Sequence, residues 1–303
     1  MTDAPRIDAT LVRRLLTTQF PQWADLPVTP VATQGMDNAT FRLGDHMSVR
    51  LPRYRRWVGQ VEREQRWLPR LAPHLPLTVS TPLAEGQPDE HYPFPWSIYR
   101  WLDGHALDPD RLPDPLRAAR DLAEFIAALQ AIDTTDAPGP QWSNSYRGAA
   151  IDAPVDSVAA KDRVLPKIEA LRDTVDTDAI MSVWEAALSA PAWDRPPVWL
   201  HGDLAPGNLL FTDDRLSAVI DFGTVAVGDP ACDITCVWMF RDPAARDLLR
   251  QQLNVDPATW TRARGWTLAA NLPVPQDPFY TNRPDRTKRS LSILDDLIAD
   301  TLP

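Results

Sequence analysis

The stretch 200–223, which reads LHGDLAPGNLLFTDDRLSAVIDFG, contains the residues that decide the fold. Asp203 stands in a loop, Asn208 follows five residues later, and Asp221 closes an apolar run. A phosphoryl group that passes to a hydroxyl needs a carboxylate to orient the acceptor and take its proton. It also needs hard oxygen ligands for the magnesium ion that neutralises the phosphates. Asp203 fits the first task, and Asn208 and Asp221 fit the second.

The residues around these three side chains predict a β-hairpin. Apolar runs at 209–211 and 216–220 flank the polar residues 212–215, and the segment 197–201 predicts a further short strand before them. A hairpin brings the loop before its first strand and the residue after its second strand to one end. We therefore expect the two acids and the amide to lie close together.

The pattern HGD-x4-N followed by IDFG resembles the catalytic loop and the metal-binding loop of the aminoglycoside and macrolide phosphotransferase (APH) family, relatives of the eukaryotic-type protein kinases. HGD in place of the protein kinases' HRD indicates a small-molecule kinase. The resemblance implies that Asp203 is the catalytic base, that Asn208 and Asp221 bind Mg²⁺, and that His201 is structural. An aspartate after a strand is more often a turn former or a helix cap. The motifs HGD-x4-N and IDFG in tandem, at this spacing, are a much more specific signal for a kinase-like site.

The resemblance also implies an α+β, two-lobed protein-kinase-like fold. We expect a small antiparallel-sheet N-terminal lobe at 1–102, which binds nucleotide, and a mainly helical C-terminal lobe at 103–303, which carries the catalytic loop and the acceptor site. Residues 7–20 predict a helix with Asp8 as its N-cap. The segments expected to form strands of the small sheet are 28–33, 39–43, 46–51, 79–83 and 96–101.

The turn at 34–38, QGMDN, lies where the family has its nucleotide-positioning loop. Gly35 lets the backbone approach phosphates closely, and exposed N–H groups in such a turn form an anion-binding concavity. We therefore assign Gly35 and Asn38 to the nucleotide. A hairpin turn in which Asp and Asn serve only the turn is the alternative.

Arg50 stands on the third expected strand, where the family usually has a lysine paired with a helix glutamate. The lobe at 1–102 contains no lysine. The resemblance therefore implies that Arg50 binds the phosphates. It also implies that Arg50 pairs with Glu64 of the helix expected from residue 58, with Glu62 as the second choice. Arginine stays charged and binds phosphate through a larger fork than an ammonium. An exposed strand charge is the alternative.

The segment 96–104, WSIYRWLDG, resembles the connector between the two lobes. The resemblance implies that its backbone hydrogen-bonds the purine of ATP or GTP. It also implies that Ile98, Tyr99, Arg100 and Trp101 line the slot for the base. A buried edge strand without a ligand is the alternative.

The C-terminal half supplies one structural acid and three acceptor candidates. The resemblance implies that Asp233 anchors the backbone of the catalytic loop. The segment 134–154 is too long for a mere connection, so it predicts either a substrate-lining loop or a packed surface loop. We assign Tyr146, Asn271 and Tyr280 to the border of the acceptor site.

Composition excludes several other classes of protein. The net charge of −10 argues against a nucleic-acid partner and is compatible with a cationic acceptor. Cys232 and Cys236 have no further cysteine or histidine near them, so a zinc site is excluded. The sequence shows no signal peptide and no apolar run of membrane length, so we expect a cytoplasmic protein without a membrane partner.

These observations predict a Mg²⁺-dependent kinase that transfers phosphate from ATP or GTP to a hydroxyl of a small molecule. The first choice of acceptor is an aminoglycoside, a macrolide or a related antibiotic. The reason is that DNATF, VRLPR, PFPWSIYRWLDG and HGDLAPGNLL look closest to the antibiotic-kinase branch. Choline, homoserine or an amino sugar is an equally plausible acceptor. A non-catalytic nucleotide-binding protein is a rival because the strand lysine is missing. The oligomeric state stays open.

Overall fold

The structure is a computed structural model, and it describes residues 6–32, 34–152, 157, 159–274, 280 and 284–300. Within these residues the strands form one sheet of five strands, one of four and one of two. None of the helices described there is long and apolar enough to cross a bilayer.

The first half of the chain forms an antiparallel sheet. Its strands are β1 (Val28–Pro30), β2 (Asn38–Leu43), β3 (Met47–Pro52), β5 (Pro82–Gly86) and β6 (Trp96–Arg100). Their order is β1-β2-β3-β6-β5. Helix α1 (Ala9–Gln19) begins where the Asp8 carboxylate accepts hydrogen bonds from the N–H groups of Thr10 and Leu11, each at 3.0 Å. Apolar side chains of α1 and of the sheet form a separate core.

Helix α2 (Gly59–Leu71) connects this sheet with the rest of the molecule. Its apolar residues Trp67, Leu68 and Leu71 pack into the larger core of the C-terminal half. Pro69 stands in its last turn without ending the helix. One face of α2 carries buried polar side chains, namely Gln60, Arg63 and Glu64.

The predicted hairpin belongs to a four-stranded sheet of β4 (Thr78–Val79), β10 (Arg215–Val219), β9 (Leu209–Thr212) and β7 (His105–Ala106), in that order. Asp213 and Asp214 adopt φ values of 51° and 60°, which a two-residue type I′ turn requires at both central positions. The expected N-terminal strand at 79–83 is wrong in part, because β4 pairs in parallel with β10 instead.

A two-stranded ladder frames the catalytic loop. Strand β8 (Val198–Leu200) pairs antiparallel with β11 (Ala226–Gly228), and the loop that starts at His201 leaves from the end of β8. The loop and the hairpin are thus held by different sheets.

The described helices of the second half are α3 (Pro115–Gln130), α4 (Lys161–Ala170), α5 (Thr177–Ser189), α6 (Ala231–Ile234), α7 (Pro243–Gln252), α8 (Pro257–Asn271) and α9 (Pro284–Ala299). Helices α3, α5, α7 and α8 each begin after an aspartate whose carboxylate accepts an N–H of the first turn. Their apolar faces form the larger core, to which Trp67, Val79 and Tyr99 of the first half also contribute. The division at residue 102 stays a prediction, since this core crosses it.

Candidate active site

The backbone of the catalytic loop is fixed by one buried acid. Asp233 is 1% exposed, and its two carboxylate oxygens accept the N–H groups of His201 and Gly202, each at 2.7 Å. Burial raises the pKa of Asp233, and the hydrogen bonds from the two backbone amides oppose this shift. The geometry is that of an anchor, because both oxygens are turned to the loop.

Gly202 is required by the path of the chain at this point. Its φ is 83°, a region that residues with a Cβ rarely adopt. A Cβ there would lie 2.8 Å from the carbonyl oxygen of Thr224 and 2.9 Å from its hydroxyl. The loop can therefore pack against residues 221–224, hereafter the 221–224 loop, only with glycine at this position.

His201 connects the loop that carries Asp203 with the residues on both sides of Asp221. Its ring is buried, and Nδ1 accepts the N–H of Asp203 at 3.1 Å, so the ring proton resides on Nε2. Nε2 then donates to the carbonyl oxygen of Ile220 at 3.0 Å. The ring also packs edge-on against Phe222, with 4.5 Å between ring centroids. The loop that carries Asp203 is thus tied to the residues on both sides of Asp221.

Asn208 lies directly beside Asp203. Its Nδ2 donates to the carbonyl oxygen of Asp203 at 2.9 Å and to Oδ2 of the same residue at 3.0 Å. Its backbone carbonyl accepts the N–H of Ile220 at 2.9 Å. Because Nδ2 is engaged, Oδ1 is the side-chain atom of Asn208 that can serve as a metal ligand.

Arg50 lies between two acids of different origin. One guanidinium nitrogen is 3.3 Å from Glu64 of α2, and another is 2.8 Å from Asp221. The side chain of Glu64 is 3% exposed, and its second oxygen accepts the hydroxyl of Tyr99 at 2.6 Å. Glu62, the second choice from the sequence, is exposed. Asp221 adopts φ 68°, which turns the chain sharply at the end of the hairpin.

The two acids beside Arg50 differ in their pKa values. Burial by itself would raise the pKa of Asp221, but the charge and the hydrogen bond of Arg50, together with the N–H of Gly223, lower it below its ordinary value. For Glu64 burial is the larger effect, so its pKa lies above the ordinary value in spite of Arg50. Asp221 therefore carries the negative charge that a metal ligand needs.

The loop at 34–38 is held by α2. Asn38 is 6% exposed, and its Nδ2 donates to Oε1 of Gln60 at 3.1 Å. Nε2 of Gln60 donates to the Asp37 carboxylate at 2.9 Å. Gly35 has open space around its Cα, since a Cβ would meet only the carbonyl oxygen of Asn38, at 3.9 Å. The amide of Asn38 thus faces the helix, and Gly35 is left free to approach a ligand.

Asp37 also lies close to these residues, although the sequence analysis gave it only a role in the turn. Burial, together with the nearby carboxylates of Asp221 and Asp203, raises the pKa of Asp37 to about 6, against the hydrogen bond from Gln60. The N-terminal loop therefore brings a carboxyl group close to Asp203 and Asp221.

Ile98 and Tyr99, the first two residues predicted to line the slot for the base, are buried inside the protein. Ile98 is fully buried in the core below α1, and Tyr99 is 3% exposed and bonded to Glu64. The side chain of Ile98 thus serves packing. Tyr99 supports the ion pair of Arg50, whose guanidinium lies 5.5 Å from the centre of its ring.

The following two residues turn towards solvent. The N–H of Arg100 donates to Thr81 at 2.9 Å, and the N–H of Trp101 donates to His46 at 2.8 Å. Arg42 lies over the ring of Trp101, 4.0 Å from its centroid. Because both amides are used inside the protein, a base would have to take its backbone donor from the chain beyond Trp101.

The three predicted acceptor residues lie in separate parts of the chain. Tyr146 adopts φ 56° in the long loop and donates its N–H to Gln141 at 2.9 Å. Asn271 ends α8, and its side chain donates to Thr267 at 2.9 Å. The carbonyl of Tyr280 lies 3.4 Å from the hydroxyl of Thr287. Their part in acceptor binding stays a prediction.

The sequence reading also missed Gln60 and Arg63. Arg63 is 4% exposed, donates to the carbonyl of Gly223, and donates to the hydroxyl of Ser143 at 2.6 Å. Together with Glu64 these residues occupy positions i, i+3 and i+4 of α2, which is one helix face. Polar residues at that spacing beside the expected Glu64 were a usable signal.

The donor set fits magnesium. The Asp221 carboxylate and the amide oxygen of Asn208 are hard oxygen ligands, and the side chain of Asp221 is 33% exposed and therefore accessible. In the described part of the chain, no group of three His, Cys, Asp or Glu side chains could hold a metal alone.

Two curated relatives are similar to part of the chain. A homoserine kinase of Rhodospirillum rubrum is 34% identical over 130 residues, 42% of this chain and 36% of that kinase. One of Granulibacter bethesdensis is 34% identical over 76 residues, 24% of this chain and 22% of that kinase. The chain thus spans well under half the length of the curated relatives it matches.

Solved structures match over nearly the whole chain. The GDP and kanamycin complex of an aminoglycoside phosphotransferase, APH(2")-IIIa, has a TM-score of 0.70 at 20% identity, covering 96% of this chain and 99% of that one. The macrolide 2'-phosphotransferase of Brachybacterium faecium has a TM-score of 0.60 at 23% identity, covering 95% and 98%. The predicted α+β kinase-like fold is confirmed.

The family is shown by a model of the phosphotransferase enzyme family (APH), which matches residues 28–266. This match covers more than half of the chain and includes both the loop at 34–38 and the catalytic loop. It confirms the predicted family and the predicted enzyme class, a phosphotransferase. The chain belongs to the phosphotransferase enzyme family.

Proposed function

We propose that this protein is a magnesium-dependent O-phosphotransferase that moves the terminal phosphoryl group of ATP or GTP to a hydroxyl of a small molecule. One observation carries the proposal. Asp203 and Asn208 lie 3.0 Å apart, His201 ties them to Ile220, and Asp221 follows with Arg50 at 2.8 Å. This arrangement supports a proton acceptor at Asp203, metal ligands at Asn208 and Asp221, and a phosphate-binding cation at Arg50.

On the nucleotide side, Asp221 and Oδ1 of Asn208 would hold the metal. A magnesium ion held there would supply positive charge to neutralise the charge that develops on the phosphates. Arg50 steadies the phosphates, and Glu64 fixes the direction of its guanidinium from the opposite side. Open space at Gly35 lets the backbone of the loop approach the phosphates.

On the acceptor side, Asp203 orients the hydroxyl and takes its proton. Asn208 holds Oδ2 of Asp203 through one hydrogen bond, which leaves Oδ1 to meet the acceptor. Anchoring by Asp233 keeps this carboxylate in place before the acceptor arrives. Positioning of this kind lowers the barrier without any covalent step on the protein.

For the acceptor we propose a cationic alcohol, with an aminoglycoside first and a macrolide next. Asp37, Asp203 and Asp221 concentrate negative charge at the site, and the whole chain carries a net charge of −10. The fold neighbours include an aminoglycoside phosphotransferase crystallised with kanamycin and a macrolide 2'-phosphotransferase. Homoserine is the second candidate because the curated relatives are homoserine kinases, and homoserine also carries an amino group beside its hydroxyl.

A coupled assay of Mg²⁺-dependent ADP or GDP release tests the proposal. Kanamycin, a macrolide, homoserine and choline are supplied in turn, with Asp203→Asn as the control. We expect one cationic acceptor to stimulate release in the parent and not in the variant. Nucleotide binding without stimulation by any of a widened set of alcohols would favour the non-catalytic alternative.

A further inference from the structure

Gln60 has an unusual position for a glutamine. It is 2% exposed and lies in the first turn of α2, and both ends of its amide are used by the same loop. Oε1 accepts from Asn38 at 3.1 Å, and Nε2 donates to the Asp37 carboxylate at 2.9 Å. The amide can satisfy both partners only in this orientation, because a carboxylate accepts and an amide nitrogen donates.

The stem of the same side chain packs on the 221–224 loop. A Cβ on Gly223 would lie 2.7 Å from Cδ of Gln60, 2.8 Å from Cγ and 3.0 Å from Nε2. Gly223 has no positive φ that would require glycine. The close approach of Gln60 is therefore a reason for glycine at this position. Gln60 could yield to a larger residue only by giving up its bonds to Asp37 and Asn38.

We infer that Gln60 is a positioning residue that couples the 34–38 loop to the 221–224 loop. The inference rests on the proposed function, in which the first loop approaches the phosphates and the second supplies the metal ligand Asp221. A single buried side chain then keeps the two loops at a fixed distance. One loop can contact the phosphates while the other holds the metal. Arg63, one turn further along α2, fixes the carbonyl of Gly223 from the same helix face.

Nucleotide affinity tests the coupling without knowledge of the acceptor. Titration calorimetry with Mg-ATP and Mg-GTP compares the parent with Gln60→Ala, Gly223→Ala and the double variant. Each single change should weaken binding about tenfold, as expected for a hydrogen bond to a charged group. The double variant should bind no more weakly than Gln60→Ala, because the clash disappears with the longer side chain. Additive losses would overturn the coupling.

A matched control is available on the same helix. Gln65 is also a hydrogen-bonded glutamine, but its amide donates to Ala84 and to the hydroxyl of Ser97, away from both loops. Gln65→Ala should leave the affinity within about twofold of the parent, the range of a substitution away from the site. Equal losses in Gln65→Ala and Gln60→Ala would show a merely structural role.

A second variant and a second readout cover the cases in which truncation unfolds the protein or nucleotide does not bind. Gln60→Met keeps the stem on Gly223 and removes both hydrogen bonds, so amide hydrogen exchange should rise in residues 34–38 of this variant. In Gly223→Ala exchange should rise in the same residues. Unchanged exchange there would refute the coupling, whereas failure of the parent to bind either nucleotide would refute the proposed function instead.

Discussion

The catalytic loop, residues 201–208, and the loop at 34–38 come together at one site but are held by different means. The catalytic loop depends on backbone hydrogen bonds to the buried Asp233 and on contacts among its own residues. The 34–38 loop is bonded at its side chains, since Gln60 of α2 bonds Asp37 and Asn38, and Arg53 donates to Gln34 at 3.0 Å. The first loop is thus held through its backbone and the second through its side chains.

The largest effect should come from Asp203→Asn. Asparagine keeps the shape and the hydrogen bond with Asn208 but cannot take the proton of the acceptor. We expect kcat to fall by roughly 10²–10⁴, the usual contribution of general-base catalysis. Nucleotide affinity measured by calorimetry should stay near that of the parent, and a comparable loss of affinity would show that the two loops are not separable.

Removal of the anchor should be next in size. Asp233→Ala leaves the buried N–H groups of His201 and Gly202 without their acceptor, which should cost about 3 kcal/mol of unfolding free energy. Chemical denaturation measures this, and kcat should fall with it. Asp242, which caps α7 by accepting the N–H of Ala244, is the control. Asp242→Ala should lose about 1 kcal/mol and keep its activity.

Replacement of Arg50 should separate charge from geometry. Arg50→Gln removes the cation proposed to bind the phosphates and leaves the buried Glu64 unpaired. We therefore expect nucleotide affinity to fall at least about tenfold. Arg50→Lys keeps a cation at the position where the family has lysine and should lose less. Arg66, an exposed residue of α2, provides the control Arg66→Gln. Equal affinities for the Gln and Lys variants would remove Arg50 from the phosphate site.

The smallest effect concerns pH and the loop at 34–38. The pKa of Asp37 is raised by burial to about 6 from 3.8, so the native state holds this proton more tightly than the unfolded state does. The stabilising contribution of the protonated group is complete below pH 3.8 and is lost as pH rises through 6. The stability of the parent relative to Asp37→Asn should therefore fall between pH 4 and pH 7. A constant difference would contradict the burial of Asp37.

Motifs set by local geometry could be predicted from the sequence. The hairpin, the turn at Asp213 and Asp214 and the cap at Asp8 each depend on residues a few positions apart. The family resemblance correctly led to Glu64 as the partner that lies next to Arg50, although fourteen residues separate them.

Contacts between distant segments could not be predicted in the same way. Gln60 and Arg63 share a helix face with Glu64 in the sequence, but the groups that they and Asp37 contact appear only when α2 packs against the 34–38 loop and Gly223. The predicted strand at 79–83 was wrong at Val79 for a similar reason, because the parallel pairing of β4 with β10 depends on how the two halves dock.

The most direct test of the central claim is the metal dependence of nucleotide binding. Calorimetric titration of ATP and GTP, with and without Mg²⁺, is made on the parent and on Asp221→Asn. We predict that Mg²⁺ strengthens binding of at least one nucleotide to the parent and that Asp221→Asn loses this gain. A parent that binds neither nucleotide, or a variant that keeps the full effect of Mg²⁺, would contradict the assignment of this site.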